Sequence, residues 1–113
     1  MKYLELATRV AKANSLPGKD KHFLFGAVCL REDGAIVVSS NIRTQDRLGM
    51  AHAEARALRK GGQGSTLWVV RINRLGQWAM AKPCPQCQNL IRHKKTKRVY
   101  YTVGVDTYSV WNP

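Results

Sequence analysis

The sequence has no apolar run approaching the roughly 20 residues needed to span a bilayer, which argues against a membrane-spanning helix. Its first residues, Met1–Asn14, alternate charged and apolar types and lack the continuous apolar stretch of a secretory signal, so the chain is read as cytoplasmic. Cysteine is scarce. An odd count of three, two of them in a C-x-x-C, excludes a disulfide framework and points to metal or redox use. The third, Cys29, lies in an apolar run and reads as a buried, inert thiol. Acidic residues are few: 7 Asp+Glu stand against 19 Lys+Arg, a formal charge of +12. That balance favours anionic partners such as nucleotides, nucleic acid or anionic surfaces, or else a basic surface that only keeps the protein soluble. There is no internal repeat, linker or low-complexity segment, and 113 residues with 44% hydrophobic content make one packed domain, residues 1–113. So small a core makes self-association to cover leftover apolar surface an expectation, and a homo-oligomer is the expected assembly.

What is present reads as alternating elements. Tyr3, Leu6, Val10 and Ala13 recur at helical spacing and predict an amphipathic helix over residues 2–13, ended by Asn14–Gly18. Phe23–Leu30 predicts a buried strand, Glu32-Asp33-Gly34 a hairpin turn, and Ala35–Ser40 the return strand. Asn41–Gly49 reads as a polar loop. Ala51–Lys60 is rich in strong helix formers and is stopped by Gly61-Gly62. Thr66–Ile72 predicts a strand, Asn73–Gly76 a turn and Gln77–Met80 a short strand. Pro85–His93 fits a helix with proline in its first turn. Lys94–Lys97 is a basic loop, Arg98–Val103 a strand, and Gly104 onward a short tail. The order predicts an α/β fold with a mixed sheet covered by helices.

Two stretches carry chemistry. Met50–Leu58 offers His52 and Glu54; Lys82–Cys87 offers Cys84 and Cys87. Three N/S ligands on a zinc ion leave one tetrahedral position open, the pattern of a catalytic site. Cysteines three apart at a helix N-terminus put both sulfurs on one side, and the positive dipole end there favours thiolates. Pro83 and Pro85 stiffen the approach. Glu54 is roughly 200° round a regular helix from His52, so the two flank one cavity only if the first turn is irregular. Alone, Glu54 reads equally as a favourable acidic residue in a first turn.

The combination H-x-E followed by P-C-x-x-C is the signature of zinc nucleobase deaminases, and with it the chain resembles the cytidine/deoxycytidylate deaminase superfamily, which includes tRNA adenosine deaminases. Phe25-Gly26-Ala27-Val28 looks like the family's first-strand segment that walls the base pocket, and His52–Leu58 looks like its H-A-E-x-x-A-L helix. The resemblance implies a three-layer fold, a five-stranded mixed sheet flanked by helices. It implies Zn2+ held by His52, Cys84 and Cys87, with Glu54 moving protons between an activated water, the ring nitrogen and the departing amine. Phe25, Asn41, Ala53 and Pro83 are the implied substrate contacts: Asn41 at the sugar, the Ala53 N–H at the base edge, and the backbone at Pro83–Cys84 at the exocyclic amine. The chain departs from many relatives in having Ala81-Lys82 before Pro83-Cys84, and it stops soon after the last predicted strand, without the long C-terminal helices that help many relatives hold RNA or DNA.

Three readings follow. The compact chain favours deamination of a free cytosine nucleoside or nucleotide, with Arg43, Arg47 or Lys82 available to a monophosphate. The charge favours cytosine or adenine within single-stranded DNA or RNA, with Lys94, Lys95 and Lys97 in a basic run from Arg92 to Arg98 and Trp78, Tyr108 and Trp111 as stacking surfaces. Against that stand a solvated helix end and tryptophans used in core or subunit contacts. A non-catalytic zinc-stabilised module would need a fourth ligand, His22 or His93. The first reading is preferred.

Overall fold

A computed structural model of the chain describes residues 2–13, 24–43 and 50–113. In chain order the elements are α1 (Lys2–Lys12), β1 (Leu24–Leu30), β2 (Ile36–Ser40), β3 (Ile42–Arg43), β4 (Met50–Ala51), α2 (Ala53–Gly61), β5 (Thr66–Ile72), β6 (Trp78–Ala79), α3 (Pro85–His93), β7 (Arg98–Gly104) and β8 (Thr107–Trp111). The main sheet runs β2-β1-β5-β7-β8, with the short β6 added beside β5, six strands where the resemblance implied five.

Local chemistry sets the turns. Gly34 takes φ 88° and its N–H bonds the Arg31 carbonyl at 3.0 Å, which closes the β1–β2 hairpin. Asn73 Oδ1 accepts the N–H groups of Leu75 and Gln77 at 2.9 and 3.1 Å, folding the chain from β5 into β6. The sheet is antiparallel except between β5 and β7, which run parallel with Leu67 opposite Val99. A parallel pair needs a crossover, and the connection through α3 supplies it.

The period-two alternation of β1 sorts the layers. Val28 packs with Leu4, Ala7 and Ala11 of α1 and with Trp68, Val70 and Ile72 of β5. Ala27 and Cys29 face the other way, onto Ala53, Ala57 and Leu58 of α2 and Ile91 of α3. The result is α1, sheet, then α2 with α3. Gly26 allows α1 to lie this close, because a Cβ there would stand 2.1 Å from the Ala7 carbonyl oxygen.

Three expectations are corrected. The stretch after Gly104 is a strand rather than a tail: β8 pairs antiparallel with β7, Tyr101 opposite Ser109. Its turn was hard to read because the left-handed position is filled by Asp106 (φ 55°) where hairpins usually carry glycine. The loop after Asn41 contains the β3–β4 pair, Ile42 opposite Ala51. The second helix begins at Ala53, two residues later than expected, which leaves His52 outside it. Cys29 is buried as expected, and burial pushes its thiol pKa up.

All three tryptophans serve packing. Trp68 stacks on Tyr100 with centroids 5.4 Å apart. The Trp78 indole N–H donates to Thr8 Oγ1 at 2.9 Å. Trp111 lies under the Arg92 guanidinium, 5.1 Å from its ring centre.

Candidate active site

Two helices start at one place. His52 is the N-cap of α2 and Cys84 the N-cap of α3, both extended (φ −74°, ψ 143° and φ −69°, ψ 164°), and neither side chain caps its own helix. An N-cap side chain normally accepts an N–H from the first turn; here the two side chains turn toward each other instead. Cys87, one turn into α3, is buried beside them.

Their ligand atoms all lie within 4.8 Å of one another. His52 Nδ1 is 3.3 Å from Cys87 Sγ and 3.6 Å from Cys84 Sγ. Donors sharing one tetrahedral zinc at ordinary Zn–N and Zn–S lengths stand about 3.5–3.8 Å apart. The donor set and its spacing therefore fit zinc with little movement, and His52, Cys84 and Cys87 are positioned to hold it.

Glu54 completes the cluster. Because His52 precedes the helix in extended backbone, the angular conflict of a regular helix does not arise. Glu54 Oε1 comes within 3.3 Å of His52 Nδ1 and accepts from the Cys87 thiol at 3.1 Å. The residue is only 4% exposed. A buried carboxylate in contact with two of the three metal donors is more than a first-turn acid.

The electrostatics follow from this crowding. The hydrogen bond to Glu54 pushes the His52 pKa up to about 9. Burial, then the Glu54 carboxylate, pushes the Cys87 thiol well up. Burial also acts to raise Cys84, but hydrogen bonds from the Cys87 backbone and side chain, with the charge of His52, outweigh it and bring the thiol down. Two helix N-termini, each worth about half a positive charge, lie beside these groups and favour their anionic forms.

The surrounding residues are held by bonds the sequence did not announce. Gln88 Nε2 donates to the Pro83 carbonyl at 2.8 Å, pinning the approach to Cys84. The Ala81 N–H bonds the Thr102 carbonyl at 2.9 Å, anchoring the same segment to β7. Arg56 donates to the Ser40 carbonyl and ties α2 to β2.

Of the implied substrate contacts, Asn41 is buried and its Oδ1 accepts the Phe25 N–H at 3.0 Å, so the two meet at the start of β1. Ala53 is the first residue of α2, and Pro83 is buried beside Cys84. Lys82 is exposed next to it. Arg43 lies in β3, but its side chain, like Arg47 and His22, falls outside the described residues. Lys94, Lys95 and Lys97 follow the C-terminal end of α3, away from the metal ligands at its start, and His93 is carried to that far end as well.

A family model described as the cytidine and deoxycytidylate deaminase zinc-binding region matches residues 1–103. A search of curated proteins finds no match. Among solved structures, the cytidine deaminase of Burkholderia pseudomallei is similar with a TM-score of 0.77 at 18% identity, over 98% of this chain and 90% of that one. The dCMP deaminase of cyanophage S-TIM5 is similar with a TM-score of 0.67 at 22% identity, over 90% and 80%. The cytidine deaminase of Mycobacterium tuberculosis follows with 0.61 at 23%, over 88% and 80%. At these identities the structural likeness speaks for the fold.

Proposed function

Because the chain belongs to the cytidine and deoxycytidylate deaminase family, we propose that it hydrolyses the exocyclic amine of cytosine in a free nucleoside or nucleotide, giving uracil and ammonia. The observation that carries this reading is the Glu54 carboxylate, buried and 3.1–3.3 Å from two of the donors, Cys87 and His52, of a three-ligand zinc site. Bound there, zinc supplies a Lewis acid that brings the pKa of water toward neutrality.

The chain's own residues do the rest. Glu54 takes the proton that water gives up and hands it to ring N3, which makes C4 electrophilic. The oxygen adds to C4; Glu54 then takes the remaining proton from that oxygen and passes it to the amine, which leaves as ammonia as the C4 carbonyl forms. General acid–base transfer of this kind contributes about 10²–10⁴-fold. The Ala53 N–H belongs to the first turn of α2, whose N–H groups have no intrahelical partner; it is suited to the base oxygen. Asn41 and Phe25, joined by their hydrogen bond, form the wall toward the sugar. Lys82, exposed beside Pro83, is suited to a monophosphate. The basic run at the far end of α3 lies away from this centre, which favours the free nucleotide over a strand threaded along that run.

The test presents zinc-loaded protein with cytidine, dCMP and a mixed-sequence single-stranded oligonucleotide, and reads products by chromatography with mass detection. Conversion of the monomers, lost in Glu54→Ala with zinc retained, is the expected result. Conversion of the oligonucleotide alone would transfer the activity to a polynucleotide base.

A further inference from the structure

The helices α2 and α3 share more than their starts: both also end at one pole of the molecule. Lys60 lies about 12 Å along α2 from His52, and Lys94 about 15 Å along α3 from Cys84, at 1.5 Å per residue. The two ends are stitched together, since the Gly64 N–H bonds the Lys94 carbonyl at 2.9 Å and the Lys97 N–H bonds the Ser65 carbonyl at 2.8 Å. Arg59, Lys60, Lys94, Lys95, Lys97 and Arg98 therefore gather on one end of the domain. All are exposed except Lys94, which is partly so. Lys95 takes left-handed backbone (φ 53°) within this turn.

Acidic neighbours are few. Asp33 is paired with Arg31 at 3.1 Å, and Glu32 lies against Gly64. Among the described residues no carboxylate lies within 4.0 Å of any of the six cations. Like charges held together cost stability through mutual repulsion, and helix dipoles offset that only for the few in each last turn.

We propose that this pole is a docking surface for the phosphate backbone of nucleic acid, separate from the reaction centre. Protein interfaces are anchored by buried aromatic and apolar side chains, and membrane-surface helices by an apolar face. None of the exposed large hydrophobic residues falls within 59–60 or 92–98. The aromatic rings nearest the pole are engaged: Trp111 lies under Arg92, and the Tyr100 hydroxyl accepts from Arg98 at 3.3 Å. With cations present and no free stacking platform, the surface suits sequence-independent phosphate contact, which positions a strand without reading it. It would hold the protein on a strand whatever base or nucleotide the distant centre takes.

The test is binding, read apart from turnover. Fluorescence anisotropy of a labelled oligo(dT) 20-mer is followed with zinc-loaded full chain across a salt series. Six phosphate contacts predict a slope of log K against log salt of about −4 for a single strand. Replacing Lys94, Lys95 and Lys97 together with Gln should make that slope shallower by about 2 and weaken binding about tenfold or more at moderate salt. Turnover of cytidine or dCMP should not change and the melting temperature should not fall, which shows the variant is folded and separates this proposal from the proposed reaction. Lys82→Gln should leave the slope as it is. A flat salt dependence, or a triple variant that binds like the parent, overturns the proposal. Displacement of oligo(dT) by polyglutamate at equal charge concentration also overturns it, and assigns the pole to an acidic protein instead.

Discussion

Replacing Gly26 with Ala tests the packing that supports the site. A methyl group at this position would lie 2.1 Å from the Ala7 carbonyl oxygen and 2.7 Å from the Ala11 amide nitrogen, both backbone atoms of α1. Backbone has no rotamer to change, so the helix itself must retreat from the sheet by on the order of 1 Å, and a gap of that size forfeits a quarter to a half of each dispersion contact it opens. The contacts at stake are those of Leu4, Ala7 and Ala11 with Val28, Trp68 and Val70. Forced overpacking costs about 1–3 kcal/mol; with an unyielding neighbour the upper value applies, and about 3 kcal/mol corresponds to a fall in Tm of about 10–20 °C for a domain this size. Circular dichroism melting of the zinc-loaded protein measures it. Gly76→Ala is the comparison, since a methyl group there meets nothing and the change costs only its left-handed backbone (φ 76°), about 1 kcal/mol. A Gly26→Ala protein that melts within 2–3 °C of the parent would refute the account of how α1 seats on the sheet.

Further outcomes follow from the site. Glu54→Gln should lower kcat by about 10²–10⁴-fold while metal analysis still finds one zinc per chain; lost zinc would make Glu54 structural. Zinc takes a neutral imidazole and thiolates, whereas the metal-free cluster holds protons, His52 up to about 9 and Cys87 by burial and Glu54. Loading at neutral pH should therefore release protons from His52 and Cys87, and zinc affinity should rise with pH; calorimetry in buffers of different ionisation enthalpy detects it, and identical heats would contradict it. Thr102→Val removes a buried hydroxyl that donates to the Ala79 carbonyl at 2.7 Å and accepts the Arg71 N–H at 3.3 Å. It should cost about 1–3 kcal/mol in urea unfolding, and no loss would mean the β5–β6–β7 junction does not depend on that side chain.

The parts of the site legible in the sequence are those fixed by short spacing. Cys84 and Cys87 had to share one side of a helix start, and Pro85 with the lysines after His93 marked that helix at both ends. The pairing of His52 with Glu54 was less secure, because it depended on the helix beginning after His52, which only the β4–α2 junction decides. Gly26 was read as part of a pocket wall; its nearest demand comes from α1 on the opposite face, a contact between segments that no local pattern encodes. Strand β8 was hidden by a turn without glycine. The position of Lys94–Lys97 relative to the zinc ligands needed only the length of a helix, yet the charge of the run drew it toward the substrate until its place in the fold was known.

The three metal donors come from two stretches of chain, His52 and Cys84 being 32 residues apart in sequence, with β5 and β6 between them. A bridge across that interval behaves as a cross-link: it removes from the unfolded ensemble the freedom of a long loop, a term that grows only slowly with length. The 3.3–3.6 Å spacing of His52 from the two thiols depends on β5 lying against β1 and on the turn into α3. The ion therefore clasps the finished fold across those elements. Metal and fold thus support one another: what displaces the crossover also separates the three donors, and what removes the ion loosens the crossover.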